Sequence, residues 1–157
     1  LRFARSATPV FTTSETKFEI GKALVLWEPE AGSLKPEVAI FSTGSLSYTA
    51  LISAKNLSEK GIETIVLHVH TIKPLDAEAV LDVAKRAGRV VTVEEHQTAG
   101  GFGSVVAEFL AEKYPVPIKR LGIRDRFGQS GSPEELLVHY ELDSASIENA
   151  VRELVDK

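Results

Sequence analysis

Three short runs of β-branched and apolar residues, 37–43, 63–69 and 89–94, each give way within a few positions to a helical pattern, and this alternation most narrows the folds open to the chain. Arg89-Val90-Val91-Thr92-Val93 is apolar enough to be covered on both faces, as the strands of a parallel sheet are. After Gly44-Ser45, a helix is predicted with Leu46, Ala50, Ala54 and Leu57 on its buried side and Gly61 as its stop. Asp76 caps the next helix, which buries Val80, Val83, Ala84 and Ala87 at helical spacing before Gly88 closes it. A third helix over about 104–114, with Val105, Val106, Phe109 and Leu110 on one side, crosses to a strand at 117–123. Ser132-Pro133-Glu134-Glu135 is a capping box with proline at the first helical position, and the last helix buries Ile147, Ala150, Val151 and Leu154.

The first strand is predicted over 18–27, interrupted by Gly21, and only a loop separates it from the second. Without a crossover helix it is expected to lie antiparallel at an edge. The pattern as a whole predicts an α/β fold: a three-layer α/β/α domain on a five-stranded, mostly parallel sheet with one antiparallel edge strand, joined by right-handed crossovers.

Composition excludes several classes of function. A net charge of −4 with interspersed signs, and no basic stripe, argues against a nucleic-acid partner. No apolar run reaches the ~20 residues that span a bilayer, so no membrane association is expected. The absence of cysteine removes disulfide and thiol chemistry and fits a cytoplasmic protein. The absence of methionine, even at position 1, leads us to expect that the chain begins inside a longer product.

The chemistry-bearing residues gather where the fourth strand meets its helix. Glu94-Glu95-His96 and Gly100-Gly101-Phe102-Gly103-Ser104 fall at the carboxyl end of a strand, where open α/β sheets place their crevice. The glycines before a helix suit either an anion cradle or a tight turn, and the turn is favoured because neighbouring Glu94 and Glu95 repel an anion. Glu94 and His96, two apart, suit a metal only if further ligands join them, so a hydrogen-bonded turn or a subunit contact is the better reading. His68 and His70 point the same way and read as polar strand-end residues. Arg120, Arg124 and Arg126 near Asp125 read as a salt-bridged loop, with anion binding or a domain contact as the lesser reading. No nucleophile–base pair stands at a recognisable spacing.

Gly21-Lys22-Ala23, Ser42-Thr43-Gly44-Ser45, Lys73-Pro74-Leu75-Asp76, Val93-Glu94-Glu95-His96 with the glycine turn, and Asp125-Arg126-Phe127-Gly128-Gln129-Ser130-Gly131 follow in an order and spacing that resemble the C-terminal domain of transketolase. The likeness runs from about Lys17 to the end. Deoxyxylulose-phosphate synthases and the β subunits of 2-oxoacid dehydrogenases share the strand-and-glycine pattern, whereas the Glu-Glu-His form and the Asp-Arg-Phe-Gly segment resemble transketolase itself.

The resemblance implies residues 1–16 as the tail of a preceding pyrimidine-binding domain with a linker, and 17–157 as the C-terminal domain. It implies that Arg5, four positions before Pro9, contacts the phosphate of a sugar-phosphate substrate, a task suited to a guanidinium. It further implies a cytoplasmic transferase of the pentose phosphate pathway that moves a two-carbon ketol unit between sugar phosphates. Thiamine diphosphate and a divalent metal, magnesium or calcium, would be bound upstream, with no cofactor, metal or catalytic residue in this chain. The domain would then be structural, packing on upstream transketolase domains or an N-terminal subunit and supporting a homodimer. Surface normally covered would lie exposed, with the strand edge near Trp27 and the loop 95–102 as candidates. A docking domain of a 2-oxoacid dehydrogenase β subunit, or a small regulatory ligand-binding domain, are the alternatives.

Overall fold

The computed structural model describes residues 7–30 and 34–156. Its elements are β1 (Leu24–Trp27), β2 (Val38–Ser42), α1 (Leu46–Ser58), β3 (Thr64–His68), α2 (Ala77–Ala87), β4 (Val90–Gln97), α3 (Phe102–Lys113), β5 (Ile118–Ile123), α4 (Pro133–His139) and α5 (Ser144–Val155). They build one five-stranded sheet in the order β1-β3-β2-β4-β5. β1 pairs antiparallel with β3 at the edge, and every other pairing is parallel.

The central strand β2 is buried along its whole length, and its side chains alternate between the two faces. Val38 and Ile40 join Val66, Val91 and Val93 beneath α1 and α5. Ala39 and Phe41 join Ile65, Leu67 and Val90 beneath α2 and α3. The predicted helix faces are the observed ones: Leu46, Ala50, Ala54 and Leu57 of α1, and Ile147, Ala150, Val151 and Leu154 of α5, all lie in the first of these clusters. Asp76 accepts from Ala79 N at the start of α2, and the α4 capping box forms with Pro133 at the first turn.

Three boundaries differ from those the sequence predicts. β1 begins at Leu24 rather than Phe18, because the chain turns at Gly21 with a φ of +90°. The backbone amides before the strand go to side chains instead of a ladder: Gly21 N donates to Thr71 Oγ1 at 3.1 Å, and Ala23 N to Asp76 Oδ2 at 2.9 Å. β4 runs on to Gln97, which regains pairing with Ile123 after a register shift. α3 starts at Phe102, two residues earlier than its apolar spacing suggests, for a reason that lies in the site.

Candidate functional site

β2 and β4 are neighbours, yet α1, which follows β2, packs on one face of the sheet while α3, which follows β4, packs on the other. Their carboxyl ends diverge, and this is the switch-point crevice in which open α/β sheets bind ligands. Here the first amides of α3, which border that crevice, are engaged by the chain itself. Glu94, only 1% exposed, accepts from Phe102 N through Oε2 at 2.6 Å and from Gly103 N through Oε1 at 2.8 Å. A carboxylate thus occupies the N-terminus of α3, where orphan amides and the helix dipole favour negative charge.

The glycines are spaced around that carboxylate. A Cβ on Gly101 would lie 2.2 Å from both Gln97 O and Glu94 Oε2, and one on Gly103 would lie 2.4 Å from Thr92 Oγ1. On the neighbouring strand, a Cβ on Gly122 would come within 2.8 Å of His96 O. The turn is therefore a tight packing device, as favoured from sequence, but Glu94 is its bound anion rather than a repellent. Glu95 is exposed and accepts from Ser45 Oγ across the crevice, tying the ends of β4 and β2 together. His96 is exposed, and because both oxygens of Glu94 are engaged, the two do not act as a metal pair. Among the described residues no cluster of three or more histidine, aspartate or glutamate side chains is placed to hold a metal.

Beside the crevice, the end of β3 carries an arrangement that sequence spacing did not disclose. Ser47 Oγ of α1 and His68 Nδ1 lie 2.6 Å apart, and Ser42 Oγ donates to Ser47 Oγ at 3.0 Å. Twenty-one positions separate Ser47 from His68, so only the crossover brings them together. The pair has the form of a nucleophile and base without the capacity. Ser42 and Ser47 are wholly buried, and among the described residues no carboxylate is hydrogen-bonded to the ring to orient it. Burial, with a smaller contribution from the nearby His70, lowers the His68 pKa from 6.5 to about 4, against a hydrogen bond to the Ser42 backbone that raises it. The imidazole is neutral near pH 7 and poorly suited to take a proton.

His68 and His70 do point the same way, with ring centroids 5.7 Å apart. The irregular lead-in covers them: Phe11 stands edge-on to His68 at 6.2 Å and stacks on Tyr48, while Phe18 lies 4.6 Å from His70.

One expectation is corrected. Arg120, Arg124 and Arg126 do not form a salt-bridged loop, since none of them makes an ion pair among the described residues. Arg120 instead donates to Thr98 O at 2.9 Å and Ser104 Oγ at 2.8 Å, pinning the β4–α3 turn to β5. The candidate loop 95–102 is exposed at Glu95, His96, Ala99 and Gly100, whereas Phe102 is 2% exposed and belongs to the core beneath α2 and α3. At the other candidate edge, Trp27 packs partly buried against the core under α1 and α5. Arg5 lies outside the described residues.

A mixed, mostly parallel α/β domain whose own glutamate caps the helix at the switch point is the class that this fold and site define. The chain belongs to the transketolase C-terminal domain family, which matches residues 30–147. Over its whole length it is 38% identical to a 6-deoxy-6-sulfo-D-fructose transketolase subunit of Clostridium sp. (strain MSTE9), covering 47% of that protein. It is 37% identical to an apulose-4-phosphate transketolase subunit of Phocaeicola vulgatus, a match that takes in 100% of this chain and 48% of that protein. Among solved structures, a split-gene transketolase in the form of an inactive beta4 tetramer superposes with a TM-score of 0.87 at 36% identity, over 97% of this chain and 48% of that one. The chain thus spans about half the length of the relatives it matches.

Proposed function

We propose that this chain serves as the C-terminal domain of a thiamine-diphosphate-dependent transketolase, which moves a two-carbon ketol unit from a ketose to an aldose, and that its own part is structural. The observation that supports this reading is Glu94 seated at the N-terminus of α3, since the amides that would meet an anionic ligand there are already engaged. Thiamine diphosphate needs oxygen ligands for the metal on its diphosphate and a carboxylate at its pyrimidine ring. The described residues do not fit it: the amides of the α3 terminus are taken, and no metal-binding cluster is present among them. The cofactor and its magnesium or calcium would then be held by upstream domains or a separate N-terminal subunit, on which this domain packs.

Residues 1–16 are the tail of the preceding domain and 17–157 the C-terminal domain in this reading, with a cytoplasmic homodimer as the working assembly. Among the described residues no helix is long and apolar enough to cross a membrane. The names of the two matched subunits specify a sulfonated and a phosphorylated sugar, which supports an anionic ketose as the donor. Arg5 is the residue we place against that anionic tail.

Isothermal titration of the chain with thiamine diphosphate and magnesium is expected to be flat. A coupled ketol-transfer assay should be silent until the upstream region is supplied. Micromolar cofactor binding by the chain alone, or no activity from the reconstituted pair, would overturn the proposal.

A further inference from the structure

We propose that residues 7–20 form a strap that is clamped to the domain while His68 is neutral and lifts from it when His68 takes up a proton. The strap lies against the carboxyl end of β3, and two rings hold it there. Phe11 stands edge-on to His68 with centroids 6.2 Å apart and stacks on Tyr48 of α1 at 6.4 Å, while Phe18 lies 4.6 Å from His70. Little else ties it down. Among the described residues its backbone bonds only at two local turns, Thr13–Thr16 and Glu19–Lys22, and within 7–20 only Phe11 and Thr16 are not exposed. A segment with so few buried contacts is the part of a domain that opens first.

The seat of Phe11 suits only a neutral ring. Ser42 Oγ donates to Ser47 Oγ at 3.0 Å, which leaves the Ser47 hydrogen for His68 Nδ1 at 2.6 Å. A proton on Nδ1 would confront that hydrogen, and neither serine can turn to water, because both are wholly buried. The groups around His68 bring no compensating charge. They are Ser42 of β2, Ser47 of α1, Phe11 with Tyr48 behind it, and His70, a second imidazole 5.7 Å away. Glu15 and Glu19 of the strap are exposed, and no ion pair with His68 forms among the described residues.

An imidazolium in this place regains hydration only by losing a neighbour. Ser42 and Ser47 are fixed in the core, so the strap is the neighbour that leaves. Clamping and proton uptake therefore oppose each other. Burial, to which Phe11 contributes, is the main cause that lowers the His68 pKa from 6.5 to about 4. As pH falls from above 6.5 to below about 4, the ratio of lifted to clamped strap rises by up to about 300-fold.

The chain has no cysteine, so Ser14→Cys, at an exposed strap position, gives a single site for a nitroxide label. Electron paramagnetic resonance of the whole labelled chain across this pH range reads strap mobility, far-UV circular dichroism reads the core, and proton NMR reads the His68 ring. The label is expected to be immobilised at neutral pH and to become mobile together with the His68 titration, well below pH 6.5, while the dichroism holds. Phe11→Ala should leave the label mobile at neutral pH and move the His68 midpoint up toward 6.5. His68→Asn should hold any change in mobility with pH below about twofold, and His70→Asn should keep the response. A label already mobile in the parent at neutral pH, or immobile until the core unfolds, overturns the proposal. So does a His68→Asn chain that still responds to pH. If that variant does not fold, the Phe11→Ala chain decides, and a His68 midpoint that it leaves unmoved overturns the proposal equally.

Discussion

Glu94 shows how much of this domain hangs on one side chain. Its two oxygens satisfy the first two amides of α3, and with the side chain removed both would be buried without partners. We expect Glu94→Ala to cost about 3–5 kcal/mol, more than a typical substitution, because two charge-assisted hydrogen bonds and the packing of the turn are lost together. Gly103→Ala tests the same site from the other side, since its Cβ would press on Thr92 Oγ1 at 2.4 Å. A cost of about 1–3 kcal/mol is expected for it. Urea unfolding measures both, and a loss below about 1 kcal/mol for Glu94→Ala would refute the anchoring role. Sequence made Glu94 conspicuous and left it without an assigned partner, because an amide eight residues away becomes a partner only once the turn has closed.

Between elements, polar side chains do what apolar packing alone leaves unspecified. Asp76 caps α2 with one oxygen and fixes the approach to β1 with the other. Glu148 of α5 accepts from Asn56 at 2.8 Å and Lys60 at 2.6 Å, joining α5 to α1 and its end. Burial alone would raise its pKa, but the hydrogen bonds from Lys60 and Asn56 prevail and hold it below the ordinary range. Ser42, Ser47 and His68 link β2, α1 and β3 in a similar way, and this link makes a pH prediction. The His68 pKa is lowered from 6.5 to about 4 in the fold, so the neutral ring is favoured there. The stability this gives is complete above the unfolded value of 6.5 and is lost as pH falls through about 4. His68→Asn removes the titration, so the stability difference between parent and variant should narrow by up to ~3 kcal/mol from pH 7 to pH 4. Chemical denaturation at several pH values measures this, and a difference that does not change with pH would contradict a half-buried, neutral His68.

Across the whole molecule, Arg5 carries the prediction that depends on assembly. On the proposed transketolase reading, Arg5→Ala in the reconstituted enzyme should raise KM for phosphorylated donors and spare unphosphorylated ones, since that reading gives Arg5 one charge-assisted contact of ~1.5–3 kcal/mol. Equal losses for both donor classes would remove Arg5 from the substrate. The layered fold was legible in the chain because its causes are local and periodic: β-branched runs in 37–43, 63–69 and 89–94, helix faces such as Val80, Val83, Ala84 and Ala87, and caps at Asp76 and Ser132. The antiparallel edge was legible too, since no crossover helix separates the first two strands. The start of β1 was not, because Gly21 N and Ala23 N find their acceptors about fifty residues on, at Thr71 and Asp76. Local spacing by itself therefore determined which elements form, most of their buried faces and the mostly parallel character of the sheet. What engages the first amides of α3, which serine meets His68 and where Arg120 is spent were decided only in the tertiary structure, because those partners lie on different elements and meet only after the crossovers have brought the strand ends together.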